Sequence, residues 1–226
     1  MNARSAQNYA RVAGFLLFIT MICGFFGEMY VPEHLIARGD AAATAANVLA
    51  NDTLFRLGFA AYLIEAICDV TLALLLYALL RPVQQDVALL SAFFGLLSTA
   101  LFAVAEFFYF ATSLVLRTFA GSQRDAFALF SLKAYGLGAG LFFAFYGIAT
   151  LLRGILIYRS RYLPRIIGVL FVIAGIGFIA KNFLLVLAPR YASDALLLLM
   201  APAVLLLMVW LLVKGVDAEK WNALTS

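Results

Sequence analysis

Glu65 and Asp69 stand four residues apart in YLIEAICDVTLALLLY, residues 62–77, inside an otherwise apolar run. That spacing puts both carboxylates on one helical face, and Tyr62, three residues before Glu65, shares the stripe. Two adjacent carboxylates at low dielectric do not both stay ionised; one keeps its proton and donates it to the other. A shared proton of this kind suits general acid chemistry, proton coupling or cation binding. It also suits locking a helix to its neighbours. A central Asp costs ~3 kcal/mol even on insertion-derived scales, and this cost marks the pair as a candidate site.

Three more charges interrupt apolar runs: Glu28, Glu106 and Lys181. Asn182 follows Lys181, and Tyr109 lies one helical turn after Glu106. Ionisable groups at bilayer depth face a bundle interior. Helical rise puts Glu28 and Lys181 about 25 Å beyond Arg11 and Arg165, with Glu106 at a similar level. Glu65 and Asp69 fall about 12 and 18 Å below the opposite edge. The set predicts an outward-facing pocket floored by Glu65 and Asp69 and walled by Glu28, Glu106, Lys181 and Asn182. Tyr62 and Tyr109 would offer it hydroxyls. Glu28 and Lys181 could equally form an interhelical ion pair.

The elements that must hold these groups follow from composition. The chain is 65% hydrophobic and 12% charged, against about half and a quarter in soluble domains, so it reads as a membrane protein. Apolar runs of the ~20 residues needed to cross a bilayer recur near residues 10–30, 55–80, 87–116, 134–157, 163–187 and 195–213. The expected fold is all-α: a six-transmembrane-helix bundle forming one domain over residues 1–226. The first run is too long for a signal peptide and reads as an anchor. One short amphipathic helix, N-capped by Asp40 and ending near Asn51, would lie on the outer surface. RTFAGSQRDAF reads as a polar connection, and a short charged tail follows the last span.

Net charge +4 would suggest nucleic acid in a soluble protein; here topology explains it. With the N-terminus inside, Arg4, Arg11, Arg81, Arg153, Arg159, Arg161, Arg165, Lys214 and Lys220 are cytoplasmic. Arg38, Arg56, Arg117, Arg124, Lys133 and Arg190 are then external. Both termini are therefore expected in the cytoplasm, with the protein in the inner membrane. Cys23 and Cys68 read as buried thiols, and His34 as a surface residue lacking a second zinc ligand. No metal and no cofactor is expected. GLGAG, with Gly136, Gly140 and Ala144, reads as a small-residue packing face. RVAGFLLFITMI from Arg11 and RIIGVLFVIAGI from Arg165 share Arg, Gly, Leu and Ile at matching offsets.

Four blocks carry a family resemblance: RVAGFLLFI with Gly27-Glu28, GDAAATAANVLANDTLFRLG, CDVTLALLLYALLRPV and ILIYRSRYLPRIIGVL. By these the chain resembles the bacterial integral membrane proteins of domain-of-unknown-function family 4386, over nearly its whole length. The resemblance implies a six-helix membrane protein with no established activity, and it transfers no catalytic role. Three functions stay open from the residues. The first is a pocket for a small molecule or lipid headgroup, with or without transport. The second is an intramembrane enzyme using carboxylate acid-base chemistry on a lipid or isoprenoid. The third is an accessory protein whose charges pair internally. Membrane lipids are partners in all three.

Overall fold

The computed structural model describes residues 2–37 and 39–225, and these are helical, with no strand among them. The order is α1 (Ala3–Gly24), a π-helix (Phe25–Tyr30), α2 (Val31–Leu35), α3 (Ala41–Ala50), α4 (Asp52–Leu80) and α5 (Gln85–Thr118). There follow α6 (Gly121–Ser160), α7 (Arg165–Leu187), two 3₁₀ segments (Pro189–Tyr191 and Asp194–Leu199), α8 (Met200–Val213) and α9 (Ala218–Thr225). Five segments are long and apolar enough to cross a membrane: Ala3–Leu35 and helices α4 to α7. They present large apolar side chains outward, with Ile67 69% and Val186 73% exposed. Only lipid tolerates a surface of that kind on so many helices. The protein is a multi-pass membrane protein.

Helices α4 and α5 begin within three residues of the expected spans, whereas α6 departs from its own. Its helix starts at Gly121 rather than near residue 134, so most of RTFAGSQRDAF is helical. Gly121 turns the chain at φ +63°, and the polar residues after it simply continue the backbone ladder. Forty residues make about 60 Å of helix, twice the ~30 Å hydrocarbon core. Hydropathy marks the immersed part of a helix and is silent about the rest. The last span is also less regular than expected. Asp194–Leu199 is 3₁₀, α8 has 14 residues, and α8 passes as a span only together with α9, which is bent from it by 94°. The expected tail is α9, whose Trp221 is fully buried. The short helix forms as its cap predicts: Ala43 N–H donates to Asp40 Oδ1 at 2.9 Å, and Asn51 closes α3. Arg38 of the orientation count lies outside the described residues.

The chain divides into two compact units. One comprises Met1–Phe18, Cys68–Thr99 and Leu141–Ser226, with eleven basic and five acidic residues; we call it the basic unit. The other comprises Ile19–Ile67 and Ala100–Gly140, with seven acidic and five basic; we call it the acidic unit.

In the basic unit, helices meet backbone to backbone at glycine. A Cβ on Gly168 would lie 2.5 Å from Tyr158 N and one on Gly154 2.6 Å from Val172 N. Gly147 and Gly175 repeat the approach two turns along, so α6 and α7 pack at van der Waals limits. Gly14 of α1, at the offset matching Gly168 in the sequence echo, does the same against Leu212 of α8. The ends are tied by side chains. Gln7 Nε2 donates to Lys214 O, and its Oε1 accepts from Val216 N–H, both at 2.9 Å. The Tyr162 hydroxyl donates to Leu79 O, and its ring meets Trp221 edge-on at 5.0 Å. Burial pushes the Tyr162 phenol pKa up.

The acidic unit packs through rings. Phe55 stacks on Tyr109 at 4.5 Å and Phe59 on Phe110 at 4.3 Å, joining α4 to α5. Asp52 accepts from both Arg56 Nε and Arg117 Nη2 at 2.8 Å, so one carboxylate holds two of the arginines assigned to the outer side. In GLGAG the packing residue is Gly138, against Ala105 of α5, while Gly136 faces open space.

Candidate functional site

The acidic unit gathers phenols and carboxylates around the π-helix. The sequence FFGEMY winds with one extra residue per turn, a device frequent at functional sites. Gly27 lies buried beneath the Tyr62 ring, where a Cβ would come within 3.1 Å. The Tyr62 hydroxyl donates to Gly27 O at 2.7 Å. It has one proton, so in its 2.8 Å contact with Tyr135 it must accept, and Tyr135 is the donor. A chain of hydrogen bonds thus runs from Tyr135 through Tyr62 to Gly27.

Tyr109 completes the cluster. Its ring lies 5.4 Å from that of Tyr62 and 5.5 Å from that of Tyr135, both edge-on. The Tyr109 hydroxyl, beside Gly58, has no hydrogen-bond partner among the described residues, although the residue is only 2% exposed. Buried hydroxyls without partners are rare and carry a desolvation cost.

Three carboxylates surround these phenols. Glu28, exposed on the π-helix, lies within electrostatic reach of Tyr62 and Tyr135. Glu106, 2% exposed on α5, reaches Tyr135 as well. Glu65, 9% exposed on α4, faces the start of the π-helix: its Oε1 lies 3.3 Å from where Gly24 would carry a Cβ, and Cys23 feels its charge. Three phenols and three carboxylates thus share the cluster, and the Tyr109 hydroxyl, both a donor and an acceptor, is left open among the described residues.

The remaining expected residues belong to the basic unit. Asp69, half-buried on α4, lies within electrostatic reach of Arg153 on α6, which is 8% exposed. Lys181 Nζ sits 5.6 Å over the Phe143 ring, and Asn182 donates to Phe178 O of its own helix at 2.9 Å. Glu65 and Asp69, four residues apart, thus fall in different units. His34 is exposed, its Nδ1 2.7 Å from Tyr30 O; Cys68 is buried and Cys23 half-buried. Among the described residues no three of His, Cys, Asp and Glu gather as metal ligands.

Sequence reasoning missed two residues. Tyr135 sits where the fourth span was expected to start and was not singled out. Arg153 was counted with the loop arginines, although it lies seven residues before the end of α6. At 1.5 Å per residue that is about 10 Å inside the helix, a depth that could have separated it from Arg159 and Arg161.

Comparison with known proteins identifies a family. The profile of a family described as a domain of unknown function, DUF4386, matches residues 12–215. An uncharacterized protein of Archaeoglobus fulgidus is 30% identical over 151 residues, covering 66% of this chain and 78% of the relative. No solved structure matches.

Proposed function

The chain belongs to the DUF4386 family, and from that premise we propose a six-span inner-membrane protein that binds a small polar molecule or lipid headgroup. The site is the phenol and carboxylate cluster of the acidic unit: Glu28, Tyr62, Glu65, Glu106, Tyr109 and Tyr135. The ligand hydrogen-bonds the Tyr109 hydroxyl, which can both donate and accept. The carrying observation is the Tyr109 hydroxyl, buried and without a partner among the described residues beside a completed phenol chain. Packing alone would favour Phe at that position, because an unmade hydrogen bond costs ~1–3 kcal/mol.

The sixth crossing in this reading is the 3₁₀ segment Asp194–Leu199 continued by α8. At 2.0 and 1.5 Å per residue the two reach about 33 Å, enough for the core. The charge bias supports both termini inside, since that orientation puts nine of the sixteen basic residues on the cytoplasmic side against six outside.

Native mass spectrometry of the purified protein beside Tyr109→Phe tests the site. The expected outcome is a discrete adduct on the first, weakened or lost on the second, with folding unchanged. Equal retention by both, or no adduct with Tyr109→Phe more stable, overturns the proposal.

A further inference from the structure

Arg153 is a buried cation whose hydrogen bonds are unmade. Its guanidinium carries five N–H donors, yet it forms no hydrogen bond or ion pair within 4 Å among the described residues. Asp69 is near enough for its charge to be felt but does not touch. The guanidinium lies against Gly95 of α5: a Cβ there would come within 2.5 Å of Arg153 Nη2. Glycine therefore makes room for the charge at this position. The guanidinium nitrogens keep some contact with solvent, so their donors stay available to a bound group.

A crevice leads to it. Ala73, Leu76, Tyr77 and Leu80 line it from α4, with Ala88, Ser91 and Ala92 from α5 and Arg153 from α6. Its empty volume is about 160 Å³, pinched to less than the width of a water molecule. Asp69 stands one turn before Ala73 on the same stripe of α4, within electrostatic reach of the guanidinium. The α4 end of the crevice is basic, with Arg81 exposed and Arg159 Nη1 donating to Gln84 Oε1 at 3.3 Å. Tyr77, half-buried, adds a hydroxyl to the wall, while the Ser91 hydroxyl is already donated to Ala149 O.

We propose that Arg153 is the recognition group of an oxyanion site in the basic unit, entered past the 81–84 turn and taking a carboxylate or phosphate. The two oxygens of such a group match the guanidinium fork and satisfy the donors that the protein leaves open. Asp69 opposes the bound anion and keeps the empty site from carrying a full net charge. The occupied crevice is wider than the pinched one seen here, with Tyr77 displaced. This site is independent of the phenol cluster and of opposite sign.

The test is the thermal unfolding midpoint of the full chain in a neutral detergent. Sodium phosphate and sodium acetate are titrated against sodium chloride at matched ionic strength. Phosphate or acetate is expected to raise the midpoint above chloride in the natural protein and to do nothing for Arg153→Met. Asp69→Asn, which removes the opposing charge, should respond at roughly tenfold lower anion concentration. Dihexanoyl phosphatidate, run alongside, separates the sources: a lipid headgroup predicts that it acts well below the phosphate concentration, a free anion that it does not. If Arg153→Met fails to fold, Asp69→Asn still decides. No anion effect beyond chloride in the natural protein, or no gain in Asp69→Asn, overturns the proposal.

Discussion

The two units solve the same packing problem with different materials. In the basic unit, helices approach through Gly147, Gly154, Gly168 and Gly175 until backbone touches backbone. In the acidic unit, Phe55, Phe59, Tyr62, Tyr109 and Tyr135 hold the helices apart at ring distances. In lipid there is no water-driven force between helices, so association rests on close van der Waals contact and on polar groups. Backbone contact of the first kind leaves no slack for substitution. Ring packing of the second kind leaves hydroxyls and carboxylates between helices, and that is where the π-helix and the unsatisfied Tyr109 lie. The closest backbone contacts and the phenol cluster fall in different units.

The largest effect is expected at the tied end of the basic unit. Trp221→Ala removes its largest fully buried side chain and should cost about 3–5 kcal/mol, read from unfolding in detergent. A loss below about 1 kcal/mol would mean that α9 contributes little. Next comes Gly168→Ala, because backbone atoms at 2.5 Å cannot yield; we expect about 3 kcal/mol or outright misfolding. Its control in the acidic unit is Gly136→Ala, which meets open space and should gain up to about 1 kcal/mol from helix propensity. Equal responses at the two glycines would dissolve the contrast between the units.

Smaller effects test the acidic unit. Tyr62→Phe breaks the hydrogen bonds to Gly27 and Tyr135 and should cost about 1–3 kcal/mol, whereas Tyr109→Phe should be neutral or stabilising. Matching losses in a side-by-side melt would show that Tyr109 has a structural partner after all. The smallest effect concerns pH. Lys220 hydrogen-bonds Asp217 and lowers its carboxyl pKa, so the pair stabilises above the unfolded carboxyl range and loses that contribution as pH falls through the folded value. The pair is exposed, so Asp217→Asn should lower stability only slightly at neutral pH and leave it unchanged in acid below the folded value. A change at neutral pH of the same size as Trp221→Ala would contradict this ranking.

Much of the architecture was legible in the residues. Apolar runs located α4, α5 and α7 to within a few residues, since burial in lipid demands an apolar sequence of fixed minimum length. Asp40 announced α3 because an N-cap is a local hydrogen bond. The first half of α6 was not legible, because polar residues beyond the bilayer carry no hydropathy signal. Glu28, Glu65, Glu106, Tyr62 and Tyr109 stood out because each is a polar group in an apolar run. Tyr135 and Arg153 did not, because near a helix end such residues look ordinary.

The sequence by itself determined that this is a helical membrane protein, and which residues would be costly to immerse. Both follow from transfer free energies, which belong to single residues and short runs. Partnership was decided only by the tertiary structure. It set Asp69 within electrostatic reach of Arg153, brought the Tyr62 hydroxyl to Tyr135 and Gly27, and folded a charged tail into α9 around Trp221. Those pairings depend on helix rotation and on the few ångströms that glycine permits, and neither is written in any one segment of the chain.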